Sequence, residues 1–166
     1  TEIASELILA EGTQDQKKDL LPKIASGQII PAAVFTEPDS GSDLGSIKTV
    51  ARKTGDEYLV TGNKTWITHA SRSDLMIILA RTNPDNNLRN RGLSILLSPK
   101  ARGTPESPFP DENIAGTEIK VLGYRGMKEF ELRFENFSVN KAGLLGGIEN
   151  KGFLQLMKTF ESARIQ

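Results

Sequence analysis

The chain has 166 residues, 37% hydrophobic and 25% charged, with 21 basic against 21 acidic side chains, which fits one ordinary globular domain and gives no electrostatic drive toward nucleic-acid phosphates. With no cysteine and a single histidine, the sequence excludes disulfides, thiol nucleophiles, iron–sulfur clusters, thiolate metal sites and multi-histidine zinc sites. No metal site is expected, and any redox chemistry needs a borrowed cofactor.

Helical rhythm opens the chain, with Ile3, Leu7 and Ile8 at three- and four-residue spacing up to Gly12. Thr13-Gln14-Asp15-Gln16 spells a capping box, and a short second helix follows, bent or restarted at Pro22 and closed by Gly27. From Ile29 the period turns extended, and strands are expected over 29–35, 47–52, 57–61, 64–68, 75–81, 93–98, 118–122 and 129–134. Gly62-Asn63 has the composition of a two-residue hairpin turn, because both residues tolerate positive φ. Phe130, Leu132 and Phe134 alternate with Glu129, Glu131, Arg133 and Glu135, the pattern of a half-exposed antiparallel sheet or barrel. Residues 83–91 and 102–115 read as long polar loops, the second holding Pro105, Pro108 and Pro110.

Phe153, Leu156, Met157 and Phe160 return to helical spacing, and on this reading their apolar stripe lacks a partner within the chain. The longest apolar run, 75–80, is far short of the ~20 residues of a membrane helix, and no basic-then-apolar leader opens the sequence. The expectation is a soluble intracellular protein without a membrane span. Because helical rhythm runs into both ends, the chain reads as an excised middle. Residues 1–28 would end one helical domain, 29–145 would form a β domain, and 146–166 would begin a second helical domain.

Several local strings carry chemistry. Phe35-Thr36-Glu37-Pro38-Asp39-Ser40-Gly41-Ser42-Asp43 ends a strand in a turn whose backbone N–H groups and hydroxyls can face a ligand, although alone it is an ordinary surface turn. Trp66, the only tryptophan, stands among Thr65, Ile67 and Thr68, where a flat side chain can lie on a planar ring; the usual fate of a lone tryptophan is the core. His69 with Ser71 and Asp74 invites a hydrolase triad, but no G-x-S-x-G elbow exists in the chain. Gly146, Gly147 and Gly152 form no nucleotide-binding fingerprint.

In register, the strings 35–43, 64–68 and 122–126 closely resemble the middle domain of the acyl-CoA dehydrogenases, and Phe160-Glu161-Ser162-Ala163-Arg164 resembles the helix that follows it in that family. The resemblance runs from Gly12-Thr13 to Arg164. It implies a mainly β fold, an antiparallel barrel or sheet flanked by short helices, cut from a larger α+β+α enzyme. The implied reaction is FAD-dependent α,β-dehydrogenation of an acyl-CoA thioester: a carboxylate takes the α-proton and the β-carbon gives hydride to flavin.

The same resemblance implies that Ala33, Val34, Phe35, Thr36, Gly41 and Ser42 line the flavin, with Thr36 on its pyrimidine side and Ser42 near both flavin and acyl-CoA. Trp66, Ile67 and Thr68 would border the flavin near the atom that accepts hydride. Glu161 and Arg164 would contact the acyl-CoA, the alternative being an exposed helix face or an intersubunit ion pair. The family's base is a glutamate of its C-terminal domain, so no catalytic residue is assigned to this chain. Electron-transfer flavoprotein as electron acceptor and a homotetramer are likewise family expectations. An oxidase relative and a noncatalytic binding module remain alternatives. Met127, Glu129 and Asn140 depart from the family's usual small or hydroxylated residue, hydroxyl residue and proline. The wording of 122–129 is similar to bacterial, hence cytoplasmic, members that act on branched dicarboxylic thioesters.

Overall fold

A computed structural model describes residues 2–123 and 126–163, and the side chains of all of these except 86 and 161–163. Among the described residues three α-helices, α1 (Glu2–Glu11), α2 (Gln14–Ala25) and α3 (Gly152–Ala163), accompany seven strands. The strands are β1 (Pro31–Val34), β2 (Val50–Thr54), β3 (Glu57–Thr68), β4 (Leu75–Arg81), β5 (Leu93–Pro99), β6 (Ile114–Ile119) and β7 (Glu129–Asn140). They form one sheet in the order β1-β4-β2-β3-β7-β6, with β5 on the other side of β4.

Strand β4 explains the layering. All seven of its residues are buried, and they divide by parity. Met76, Ile78 and Ala80 join Tyr58, Val60, Phe130, Leu132 and Phe134 inside the curled sheet. Leu75, Ile77 and Leu79 face Leu7, Ile8, Leu20, Ile24 and Leu156 of the helices. A strand covered on both faces reads as a continuous apolar run, and this one does from Leu75 to Ala80, before the buried Arg81 that ends it.

The sheet is mixed rather than antiparallel. β1 runs parallel to β4 from Pro31↔Leu75 to Val34↔Ile78, and β2 touches β4 in parallel at Val50↔Arg81, while the other pairings are antiparallel. β1 and β5, which flank β4, likewise divide their side chains between the curled interior and the helix-side core, and the chain passes from β1 to β4 by way of β2 and β3. That crossover makes the pairing parallel.

Gly62-Asn63 is not a turn. β3 runs straight through it, and the β2–β3 hairpin instead turns at Gly55-Asp56, between the paired Thr54 and Glu57, with Gly55 at φ 60°. Gly62 is needed for close approach: a Cβ there would lie 2.5 Å from Thr49 Oγ1 and 2.7 Å from Thr49 Cα. β6 lies at 114–119 rather than 118–122, and β7 continues to Asn140 instead of ending at 134. At Asn136, φ 56°, an extra residue shifts the register between Thr61↔Glu135 and Val60↔Phe137, so Phe134 and Phe137 both turn inward.

The capping box forms as expected, and the Gln16 amide also donates to the Ala142 and Leu144 carbonyls at 2.9 and 2.8 Å. The α3 stripe has its partner within the chain after all: Leu156 is buried, and Phe153, Met157 and Phe160 pack on the helix-side core. Phe160 meets Phe35 edge-on, with ring centroids 6.5 Å apart. Among the described residues no helix is long and apolar enough to cross a membrane.

Candidate functional site

Two of the recognised strings come together where β1 ends and β3 bulges. The Thr65 N–H donates to the Thr36 carbonyl at 3.0 Å, and the Thr36 hydroxyl donates to the Thr65 carbonyl at 2.5 Å. Immediately beyond, the register of β3 against β7 slips between Lys64 and Ile67, and Trp66 takes φ 57° and is 57% exposed. Left-handed backbone is uncommon for a bulky residue and costs on the order of 1–3 kcal/mol. The fold therefore holds its one tryptophan outward at an energetic cost, and the core fate of a lone tryptophan does not apply.

A polar cluster lies beneath the bulge. Lys64 shares the inward face of β3 with Tyr58 and Val60, and its side chain is wholly buried. Its ammonium donates to the Phe35 carbonyl at 2.8 Å and to Glu37 Oε1 at 3.0 Å. The Glu37 carboxylate also accepts the Lys48 and Thr49 backbone N–H groups at 2.7 and 2.9 Å. Burial pushes the Lys64 ammonium down to about 8, against the pull of Glu37. Burial also works to raise the Glu37 carboxyl, but Lys64 and the two backbone donors outweigh it and hold the group below its ordinary value.

Thr68 continues the outward edge. Its hydroxyl donates to both oxygens of the buried Glu129, at 2.9 and 3.0 Å, so in this arrangement it offers only lone pairs toward solvent. His69, at φ 58°, donates its N–H to the Lys128 carbonyl at 2.8 Å. The hydrolase triad does not form: Asp74 accepts the Ile30 N–H at 2.8 Å and pairs with Arg102 at 2.7 Å.

The other expected site residues divide by what remains available. Val34 and Ile67 are buried in the sheet interior, and Phe35 in the helix-side core, so only their backbones can face a ligand. The Phe35 carbonyl is already taken by Lys64. Ala33 is half-buried against the helix-side core. The Pro38-Asp39 turn is closed by reciprocal Glu37–Ser40 backbone bonds of 3.0 Å, and Gly41 and Ser42 follow it on an exposed limb. Asp43 fixes the far end of that limb through the Ser46 hydroxyl at 2.5 Å and Arg89 at 2.8 Å. Leu122 is fully exposed; Tyr124, Arg125 and Arg164 lie outside the described residues, and Glu161 is placed only as a position on α3.

Lys64, Glu37 and Glu129 were not among the expected site residues. A signal for Lys64 was present, because Tyr58, Val60, Gly62 and Lys64 share one face by strand alternation, which put a lysine on an inward face. Glu129 gave none, since its alternation with Phe130 placed it on the wet side.

The model of the acyl-CoA dehydrogenase middle domain matches residues 32–137. (2S)-methylsuccinyl-CoA dehydrogenase of Cereibacter sphaeroides is 59% identical over 166 residues, all of this chain and 30% of that enzyme. A crystal structure of an acyl-CoA dehydrogenase from Geobacillus kaustophilus superposes with a TM-score of 0.86 at 35% identity, covering 99% of this chain and 41% of that one. Glutaryl-coenzyme A dehydrogenase in its glutaryl-CoA complex superposes with a TM-score of 0.85 at 28% identity, covering 99% and 39%. The chain thus spans less than half the length of each of these relatives.

Proposed function

The chain belongs to the acyl-CoA dehydrogenase family, and on that premise we propose that it is the flavin-lining middle of an FAD-dependent enzyme that desaturates a branched dicarboxylic acyl-CoA thioester. The observation that carries the reading is Trp66, exposed at φ 57° and braced by the Thr36–Thr65 and Lys64–Glu37 contacts. The residues fit an isoalloxazine ring: a flat apolar side chain stands clear for stacking, the Thr36 hydroxyl keeps lone pairs for the ring's one N–H donor, and the Thr68 hydroxyl can donate to a ring acceptor by turning from Glu129. Bound FAD would supply the acceptor for the hydride that leaves the β-carbon.

On this reading Trp66 and the backbone of 33–37 hold the ring, Ser42 faces both ring and thioester, and Thr68 lies at its reactive edge. Glu161 and Arg164 contact the acyl-CoA. The α-proton goes to a carboxylate outside this chain, so loss of that proton and of hydride leaves a carbon–carbon double bond conjugated to the thioester carbonyl. Residues 1–28 and 146–166 belong to flanking helical domains. Electron-transfer flavoprotein as acceptor, a homotetramer and a bacterial cytoplasmic setting belong to the same proposal. The 59% identity to a methylsuccinyl-CoA enzyme supports the substrate class.

Anaerobic addition of methylsuccinyl-CoA to the purified full-length flavoprotein tests the reading. Bleaching of the oxidised flavin band, with straight-chain butyryl-CoA reacting at least about tenfold more slowly, is expected. No bleaching by any acyl-CoA would contradict it.

A further inference from the structure

Lys64 and Glu37 form a fully desolvated ion pair, with side chains 0% and 6% exposed, and its distribution of partners is informative. Replacing such a pair with apolar residues of similar size is often neutral or stabilising, so stability alone does not account for it. What the pair does have is reach. Its ammonium holds the Phe35 carbonyl, the atom that precedes Thr36, and its carboxylate holds the backbone at Lys48 and Thr49. Lys64 itself stands at the last paired position before the β3 register slips and Trp66 is turned out. One charge pair therefore ties together the end of β1, the approach to β2 and the bulge of β3.

We propose that Lys64 and Glu37 are the positioning pair of the flavin face, setting the distance between the Thr36 backbone and the Trp66 ring. The inference rests on the flavin reading above and deepens it. The Thr36–Thr65 bonds alone leave the two segments free to pivot about a single residue pair, whereas the buried pair adds a second tie on the inner side of the sheet. An apolar pair would fill the same space without direction, whereas charged hydrogen bonds fix which carbonyl and which N–H groups meet.

The test uses the full-length holoenzyme carrying Lys64→Met with Glu37→Gln, which removes both charges while keeping volume. Because the variant leaves the Phe35 carbonyl without its donor and sets the Gln amide against a backbone N–H, some loss of melting temperature is expected, together with a dissociation constant for FAD raised about tenfold or more beyond what that loss explains and an altered visible circular dichroism of the bound flavin. An unchanged FAD affinity and spectrum would overturn the proposal, as would a weakening fully accounted for by a lower melting temperature. Should the double variant not fold, Glu37→Asp keeps both charges and only shortens the reach. A changed flavin spectrum at retained stability is then expected, and an unchanged one overturns the proposal. Trp66→Phe, read the same way, separates the two ideas. If it alone perturbs the flavin, the positioning pair falls and the flavin face stands; if neither variant does, both fall.

Discussion

Strand β4 and residues 64–68 of β3 belong to the same sheet, yet they are built on opposite principles. β4 is held by apolar burial on both faces, with Leu75, Ile77 and Leu79 against the helices and Met76, Ile78 and Ala80 in the curled interior. Such packing is strong but nondirectional, and it tolerates exchange of one aliphatic side chain for another of similar volume. The β3 segment gives up that economy. It buries a lysine against a glutamate, breaks its register and holds a tryptophan at positive φ. β4 supplies cohesion, and the bulge, bought with part of that cohesion, supplies one defined geometry.

The contrast can be broken from either side. The largest effect is expected from Lys64→Ala, which leaves the Glu37 carboxylate buried without its counter-charge and should lower stability by about 3–5 kcal/mol, as read from thermal unfolding of the full-length protein. A loss under about 1 kcal/mol would mean that water replaces the ammonium freely. Ile77→Ala, a cavity between β4 and the helices, should cost about 2–5 kcal/mol while leaving the flavin spectrum unchanged. If the spectrum moved as much as it does for the positioning variants, the two regions would not be separate in function.

Trp66→Gly should move in the opposite direction. Glycine adopts positive φ without a Cβ penalty, so the variant is expected to gain up to about 1 kcal/mol of stability while binding FAD more weakly. A destabilised variant would show that the tryptophan packs rather than waits for a ring. The smallest effect concerns pH. Glu37 is held below its ordinary 4.5, so its contribution is complete above that value and is lost as pH falls through the lowered one. Lys64 has the same sign at higher pH: between about 8 and 10.5 the unfolded chain again binds more protons, so stability rises with pH there too. Glu37→Gln should therefore flatten the acid limb of a melting-temperature profile, without abolishing it, because Asp74 beside Arg102 is also held low. An acid limb identical to the wild type would remove Glu37 from the account.

How much of this was legible follows from the kind of interaction. The bounds of β4, the capping box and the alternation at Phe130, Leu132 and Phe134 are written locally, and the structure has them in place. The parallel pairing of β1 with β4 depends on where the intervening β2 and β3 lie, a property of the whole sheet. Gly62 carries the composition of a turn but serves a close approach to Thr49, and nothing in its neighbours distinguishes the two uses. Of the site, the strings 35–43 and 64–68 were readable, but their meeting through Thr36–Thr65 and Lys64–Glu37 spans 29 and 27 residues of sequence separation. The bulge that turns Trp66 outward leaves no periodic trace, because the shift exists only relative to β7.

If Trp66 is held outward to lie against a flavin, as proposed, its own emission reports the ring most directly. In the full-length holoenzyme, the fluorescence difference between wild type and Trp66→Phe isolates this tryptophan from any others in the protein. That difference signal should be strongly quenched with FAD bound and should recover when FAD is stripped. A Trp66 signal of equal intensity with and without the cofactor would contradict the account.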